Sequence, residues 1–348
     1  MRVMVTGATG YVGAHSVKAL VDAGHRVRLL VRDPAKASRV LRAVGVTGRL
    51  DCVSGDMTDE RSVVKALRGC DAALHCAALV TTEASRAKEM LEANPRGAEL
   101  VVGHALRLGL DPVVHVSSIA ALLRPGLELL TADLPIGTLD SGYSRSKATA
   151  ERYVRAWQRE GAPVVITYPG SVTGPPAGSV VGEATRGMVD IARLGSLPTR
   201  GAAWSLIDAR DLGAIHAALM TRGQGPRRIM CGGHYVRAPA FARVLRMLTG
   251  RRFPVLPVPP TVLRGLGLAS DMLSVFVPFD STFTYEAMLC FTQMPPSDDS
   301  AVHRELGIRY RKLETTVRES LLAAHQAGLL TDGQIGTLAR RQRTPGHR

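Results

Sequence analysis

The sequence predicts an α/β protein, a doubly wound parallel sheet with helices on both faces, followed by a smaller C-terminal lobe. Three observations predict it. Short β-branched runs alternate with helix-length amphipathic segments through the first half of the 348 residues. A glycine-rich turn joins the first strand to the first helix, and the alternation loosens after Pro169. Consecutive strands joined by helices run parallel, because the crossover returns the chain to the starting end of the sheet.

In chain order, Val3 to Thr6 is the first strand, Tyr11 to about Ala23 the first helix, and Val27 to Val31 the second strand. Strand-like runs recur at Leu50 to Val53, Ala72 to Cys76, Val113 to Val116 and Val164 to Tyr168, with helical stretches between them. Residues 1–170 are expected to form this first domain and 171–330 the smaller lobe. In the lobe, Gly/Pro turns at Gly174 to Gly178 precede a helix near Glu183 to Leu194 and another from Asp208 to Thr221. Pro254 to Pro260 and Met294 to Ser297 read as linkers, and a last helix runs from about Lys312 to Gly328. Arg228 to Cys231 has the pattern of a strand that returns to the main sheet. Residues 331–348 are basic, polar and glycine-bearing and are expected to be a flexible tail. No internal repeat is present.

Composition narrows the function classes. With 45% apolar and 21% charged residues the chain is in the globular range, long enough for a large core. Cys52, Cys70, Cys76, Cys231 and Cys290 form no C-x-x-C pair and are odd in number, which suggests neither a disulfide framework nor a metal site. The N-terminus lacks the basic and apolar regions of a secretory signal, so a reducing cytoplasm is the expected location. No stable membrane span is expected: the nearest candidate, Val262 to Phe283, is interrupted by Arg264, Asp271, Pro278 and Asp280. The net charge of +14 is spread along the chain without an aromatic-interleaved basic cluster. Attraction of an anionic cofactor or substrate accounts for it better than nucleic acid does.

The strongest local signal is Thr6-Gly7-Ala8-Thr9-Gly10-Tyr11-Val12-Gly13, between a strand and a helix. Gly7 permits the tight turn, Gly10 a close approach to a pyrophosphate, and Gly13 close packing of helix on strand. The free N–H groups at the helix start then hold phosphate. These are the marks of a Rossmann-type dinucleotide domain. Further along, Tyr143 and Lys147 are four residues apart, hence on one face if that segment is helical. A phenol is a poor base at neutral pH, but a neighbouring ammonium and an oxidised nicotinamide favour the phenolate. Tyr143 can then transfer the hydroxyl proton while hydride moves to or from the cofactor.

The block TGATGYVG resembles the first turn of the extended short-chain dehydrogenases/reductases, the NAD-dependent epimerase/dehydratase superfamily. Other segments resemble that family in the same order: Gly55-Asp56, His75-Cys76-Ala77-Ala78, Asn94, Tyr168-Pro169-Gly170-Ser171-Val172-Thr173-Gly174-Pro175, and Asp208-Ala209-Arg210-Asp211-Leu212. The resemblance spans roughly residues 1 to 330. It implies a catalytic set of Ser118, Tyr143, Lys147 and Asn94, with Ser118 holding the substrate oxygen and Lys147 the nicotinamide ribose. The cofactor set it implies is Gly7, Thr9, Gly10, Tyr11, Val12, Gly13, Arg32, Lys36, Asp56, Met57, Ala77, Ala78, Ser117, Tyr143, Lys147, Tyr168, Pro169, Gly170 and Val172. His75 and His115 are expected in the core or behind the site.

At the end of the second strand, Val31 stands where NAD-using relatives carry an aspartate, and Arg32 follows. Val31-Arg32-Asp33-Pro34-Ala35-Lys36 is similar to the dihydroflavonol-reductase branch, which prefers NADP. Arg32 can grip a 2′-phosphate bidentately, with Lys36 as a second charge. NADP is therefore expected ahead of NAD, which Asp33 keeps open. Tyr168 and Thr173 depart from the Arg and Tyr of sugar-nucleotide epimerases, whereas Val262, Leu263, Leu266, Leu268, Met272, Leu273, Val275, Phe276 and Phe279 could line a pocket for a hydrophobic carbonyl compound or belong to the lobe core. The resemblance thus points to reduction of a ketone or aldehyde, as in dihydroflavonol reductases and hydroxysteroid dehydrogenases. An epimerase or dehydratase that keeps its cofactor, or a dinucleotide-sensing protein without chemistry, are the alternatives. Relatives commonly form homodimers through two helices of the dinucleotide domain.

Overall fold

A computed structural model describes residues 1–80, 87–139, 142–274 and 284–343. Its main sheet has seven parallel strands: β1 (Arg2–Thr6), β2 (Arg26–Val31), β3 (Asp51–Ser54), β4 (Ala72–His75), β5 (Val113–Val116), β6 (Val164–Pro169) and β9 (Arg227–Cys231). Their order is β3-β2-β1-β4-β5-β6-β9. The order reverses direction between β1 and β4, and the crevice at the carboxyl ends there is where doubly wound sheets take ligands. β9 is the return strand expected at Arg228 to Cys231, paired in parallel with β6.

Both faces of this sheet are covered, which is why its strands read as nearly unbroken apolar runs. On one face α1 (Tyr11–Asp22) and α7 (Ala209–Ala218) bury Val17, Leu20, Leu212 and Ile215 against Val3, Val5 and Val114. On the other, α3 (Glu60–Leu67), α4 (Ala87–Arg107) and α5 (Gly142–Arg159) bury Val63, Val101 and Val154 against Met4, Val113 and Ile166. Helix starts follow their capping signals. Asp33 caps α2 (Pro34–Ala43), with proline in the first turn, and the Asp59 side chain caps α3.

The second half carries a small sheet that the loosened pattern did not reveal. β7 (Ser171–Thr173) lies parallel to β8 (Ala203–Asp208), which pairs antiparallel with β10 (His234–Arg237). α6 (Glu183–Leu194), α8 (Ala238–Thr249) and α12 (Leu313–Gln326) pack with it around Met188, Leu197, Phe241, Leu245, Val317 and Leu321.

α9 (Pro260–Ser274) packs on α10 (Tyr285–Gln293), and α11 (Ser300–Arg304) lies by β9. Of the apolar set expected here, Leu263 is buried, whereas Val262, Leu266, Leu268, Met272 and Leu273 are about half exposed. They are therefore not lobe core; Val275, Phe276 and Phe279 lie outside the described residues. No described helix is long and apolar enough to cross a membrane.

The expected tail is different in the structure. A capping box at Thr331 and Gln334 opens α13 (Asp332–Ile335), and α14 (Thr337–Arg343) follows. Ile335, Leu338 and Ala339 are buried in the core around α8, and the Thr337 hydroxyl donates to Leu248 O at 3.0 Å. The overall basic composition of this segment conceals three apolar residues at helical spacing. Residues 344–348 lie outside the described part.

Candidate active site

The turn between β1 and α1 is built by close backbone contacts. Gly7 has φ 75°, and a Cβ there would lie 2.7 Å from Ala77 N. A Cβ on Gly13 would collide with the Gly7 carbonyl oxygen and come within 2.6 Å of the Gly7 carbonyl carbon. Gly10 N donates to Gly7 O at 2.8 Å, closing the turn. The α1 start has no side-chain cap and no acidic residue in its first turn. Its leading N–H groups therefore face the crevice without an internal competitor for an anion. This cradle fits the pyrophosphate of a dinucleotide, with Thr9, Tyr11 and Val12 offering main chain. The Tyr11 ring itself is buried, edge-on to His15 at 5.3 Å.

Thr6 ties the neighbouring turn to this cradle. Its hydroxyl accepts from Ala77 N at 3.2 Å and is hydrogen-bonded to His75 Nδ1 at 2.8 Å. That fixes Ala77 and Ala78 beside Gly7. At the adenosine end, Arg32 is 82% exposed with its Nε 3.8 Å from Asp56 Oδ2. Asp56 also accepts from Thr58, and Met57 packs against Gly97 of α4. Asp33 accepts from Lys36 N at 3.0 Å as a helix cap, so its carboxylate already has a partner. Lys36 is exposed at the same helix start.

Tyr143 stands in the first turn of α5 and Lys147 one turn on, its Nζ 5.9 Å from the Tyr143 ring centre. Lys147 is 6% exposed and donates to Val116 O at 3.3 Å, at the end of β5. Burial pulls its pKa down to about 8, against the opposing effects of Cys76 and Glu151. Two residues past Val116, the Ser118 hydroxyl accepts from Ala120 N at 3.1 Å, leaving its proton to donate. Ser117 is buried beside it. Tyr143, Lys147 and the serine pair thus converge on the carboxyl end of β5, next to the β1–β4 crevice.

Asn94 is placed differently from a group that touches substrate. It accepts from Leu79 N at 2.6 Å and donates to Leu79 O at 2.9 Å and Ser146 Oγ at 2.8 Å. It staples the turn after β4 to α5, adjacent to Lys147. Tyr168 is a correction. Its ring has no exposed area, and its hydroxyl is bonded to Glu151 and Arg155 within the core. The strand pleat puts Ile166 and Tyr168 on the α4–α5 face, which takes this side chain out of the cofactor set. Pro169 ends β6. Gly170 follows where a Cβ would be 2.6 Å from Ser205 O, and Val172 pairs with Ile207 where the two sheets meet.

His75 and His115 stack at 5.4 Å behind Lys147. Burial takes His75 down to about 3 and His115 well below its usual value, so both are neutral core residues. The sequence reading missed Thr6, Ser146, Glu151 and Arg155. The last two continue the four-residue spacing of Tyr143 and Lys147 and could have been found from it.

The sequence profile of the NAD dependent epimerase/dehydratase family matches residues 3–232. The chain belongs to that family. Sterol demethylase protein B of Methylococcus capsulatus is 29% identical to this family member over 316 residues, covering 88% of this chain and 93% of that protein. A putative dihydroflavonol 4-reductase of Synechocystis is 27% identical over 270 residues, 73% of this chain and 74% of the relative. Among solved structures, UDP-glucose-4-epimerase from Stenotrophomonas maltophila, with bound NAD, superposes with a TM-score of 0.73 at 19% identity. It covers 94% of this chain and 99% of its own. This epimerase/dehydratase-family protein is an NAD(P)-dependent enzyme of the short-chain dehydrogenase/reductase type.

Proposed function

We propose that the protein interconverts a ketone or aldehyde and an alcohol on a hydrophobic small molecule, using NADP. The observation that carries this reading is the pairing of Tyr143 with a buried Lys147 anchored to the end of β5. When bound, the nicotinamide supplies or accepts the hydride at the carbonyl carbon. Tyr143 gives its phenolic proton to the substrate oxygen in reduction and takes it back in oxidation. Ser118 donates a hydrogen bond to that oxygen and keeps it facing Tyr143. Lys147 holds the nicotinamide ribose, and its charge favours the phenolate left on Tyr143. Asn94 fixes the floor on which this rests.

The hydrophobic substrate is supported by the exposed apolar side chains Val262, Leu266, Leu268, Met272 and Leu273 of α9. The names of the relatives, a sterol demethylase protein and a dihydroflavonol reductase, point to apolar ring systems. NADP is supported by exposed Arg32 and by the use of Asp33 as a helix cap.

The decisive experiment titrates cofactor-stripped protein with NADPH and NADH by fluorescence, then adds a panel of hydrophobic ketones and sterols. Preferential NADPH binding with ketone-dependent oxidation is expected. Cofactor that cannot be stripped, with no net turnover, would favour an epimerase, and binding of neither dinucleotide would overturn the reading. In the same assay Arg32→Ala is expected to weaken NADPH roughly 10- to 100-fold, the scale of hydrogen bonds to a charged group, with NADH little changed. Equal losses would mean that Arg32 does not read the 2′-phosphate.

A further inference from the structure

Tyr143 and Lys147 are the first two members of a longer series. Glu151 and Arg155 follow at the same four-residue spacing, so α5 carries four ionisable side chains down one face. The lower pair is deeply buried, with Glu151 wholly inaccessible to solvent. Oε1 of Glu151 is fully engaged: it accepts from Arg155 Nε at 2.7 Å and from the Tyr168 hydroxyl. Arg155 also donates from Nη1 to Leu134 O and from Nη2 to the Tyr168 oxygen, each at 2.8 Å. The other carboxylate oxygen, Oε2, is buried and has no hydrogen-bond partner among the described residues. A buried carboxylate oxygen without a hydrogen-bond partner is costly and calls for a physical reason. One helical turn away on the same face is the buried ammonium of Lys147.

We propose that Glu151 is a positioning residue for the reaction: it acts through Lys147, its buried carboxylate one turn along the same face favouring the charged ammonium that Tyr143 faces. The proposal rests on the roles given above to Tyr143 and Lys147. The groups facing Lys147 among the described residues are His75 and Cys76 at the end of β4, His115 on β5, and Tyr143 and Glu151 on its own helix. Both histidines are neutral. Cys76 would help only as a thiolate, and burial pushes its pKa up to about 12. Glu151 is thus the one carboxylate in the set. It opposes the burial that draws Lys147 down to about 8. Removing its charge would take that opposition away and would also free Arg155 as a like charge nearby. The amine would then lose its proton at lower pH, and a neutral amine does not stabilise a phenolate.

The chain contains only six lysines, so 13C-labelled lysine gives few NMR signals in the intact protein, and Lys147 is assigned by the signal lost in Lys147→Arg. Following its Cε–Hε shift against pH reads the protonation of this amine without cofactor or substrate. Glu151→Gln is expected to lower the Lys147 midpoint by about one unit or more. Tyr168→Phe, which removes a donor from Glu151 and leaves its charge less satisfied, is expected to raise it. A purely structural Glu151 would lower the melting temperature and leave the midpoint where it was, and that result overturns the proposal. If Glu151→Gln does not fold, Tyr168→Phe decides: an unmoved or lowered midpoint overturns it. Failure of the NADPH titration, by contrast, would strike the oxidoreductase reading and leave the Glu151–Lys147 linkage standing.

Discussion

Replacing Tyr143 by phenylalanine is expected to slow NADPH-driven carbonyl reduction by about 10²- to 10⁴-fold, the usual contribution of a positioned acid or base. The dissociation constant of NADPH should stay within about two-fold, because interactions made only in the transition state leave ground-state binding alone. The geometry explains why the two effects separate. Phenylalanine keeps the ring in place beside Lys147, whose ammonium is 5.9 Å from the ring centre and is anchored on Val116 O. What disappears is the hydroxyl that the proposed mechanism uses to exchange a proton with the substrate oxygen, whereas Ser118 is assigned there only a hydrogen bond to that oxygen. Single-turnover rates under saturating NADPH, with binding measured by fluorescence, check both halves. Full turnover in Tyr143→Phe would remove this residue from the chemistry, whatever the substrate. A comparable loss in affinity would mean that the tyrosine holds cofactor rather than protons.

Much of this was legible in the sequence, for reasons that differ by element. β4, β5 and β6 are buried along their whole length, so their apolar runs have no competing pattern, and the starts of α2 and α3 are marked by Asp33-Pro34 and Asp59. The glycine turn and the Tyr143–Lys147 spacing were readable because each depends on a few neighbouring residues. β7, β8 and β10 were not: they are three to six residues long and their pairing is set by partners far along the chain. Tyr168 shows how a motif match can mislead. Its place in a cofactor-lining segment suggested the cleft, yet the period of two that runs through Val164, Ile166 and Tyr168 directs it to the opposite, helix-covered face. The segment after Thr331 was misread by composition, because cations outnumber the three apolar residues that dock it.

Gly13→Ala is expected to abolish tight dinucleotide binding, with a loss of about 100-fold or more, and to lower the melting temperature as well. A methyl group there meets the carbonyl of Gly7, which is backbone and cannot turn aside, so α1 must shift away from β1. That shift would move the helix N-terminus, and with it the N–H groups assigned to hold the pyrophosphate. Gly10→Ala gives the contrasting case. Its Cβ would lie 3.2 Å from Gly7 O, a contact relieved by a few tenths of an ångström, and the residue has φ −91°, which alanine adopts freely. The fold should therefore survive with little loss of melting temperature, while the new methyl sits where the phosphates approach. Both variants should bind NADPH poorly, but only Gly13→Ala should also melt early. If Gly13→Ala bound NADPH like the parent, close packing of α1 on the first turn would not be what creates the phosphate site. If both variants were stable and only Gly10→Ala lost binding, the site would depend on backbone access alone, with the helix free to adjust.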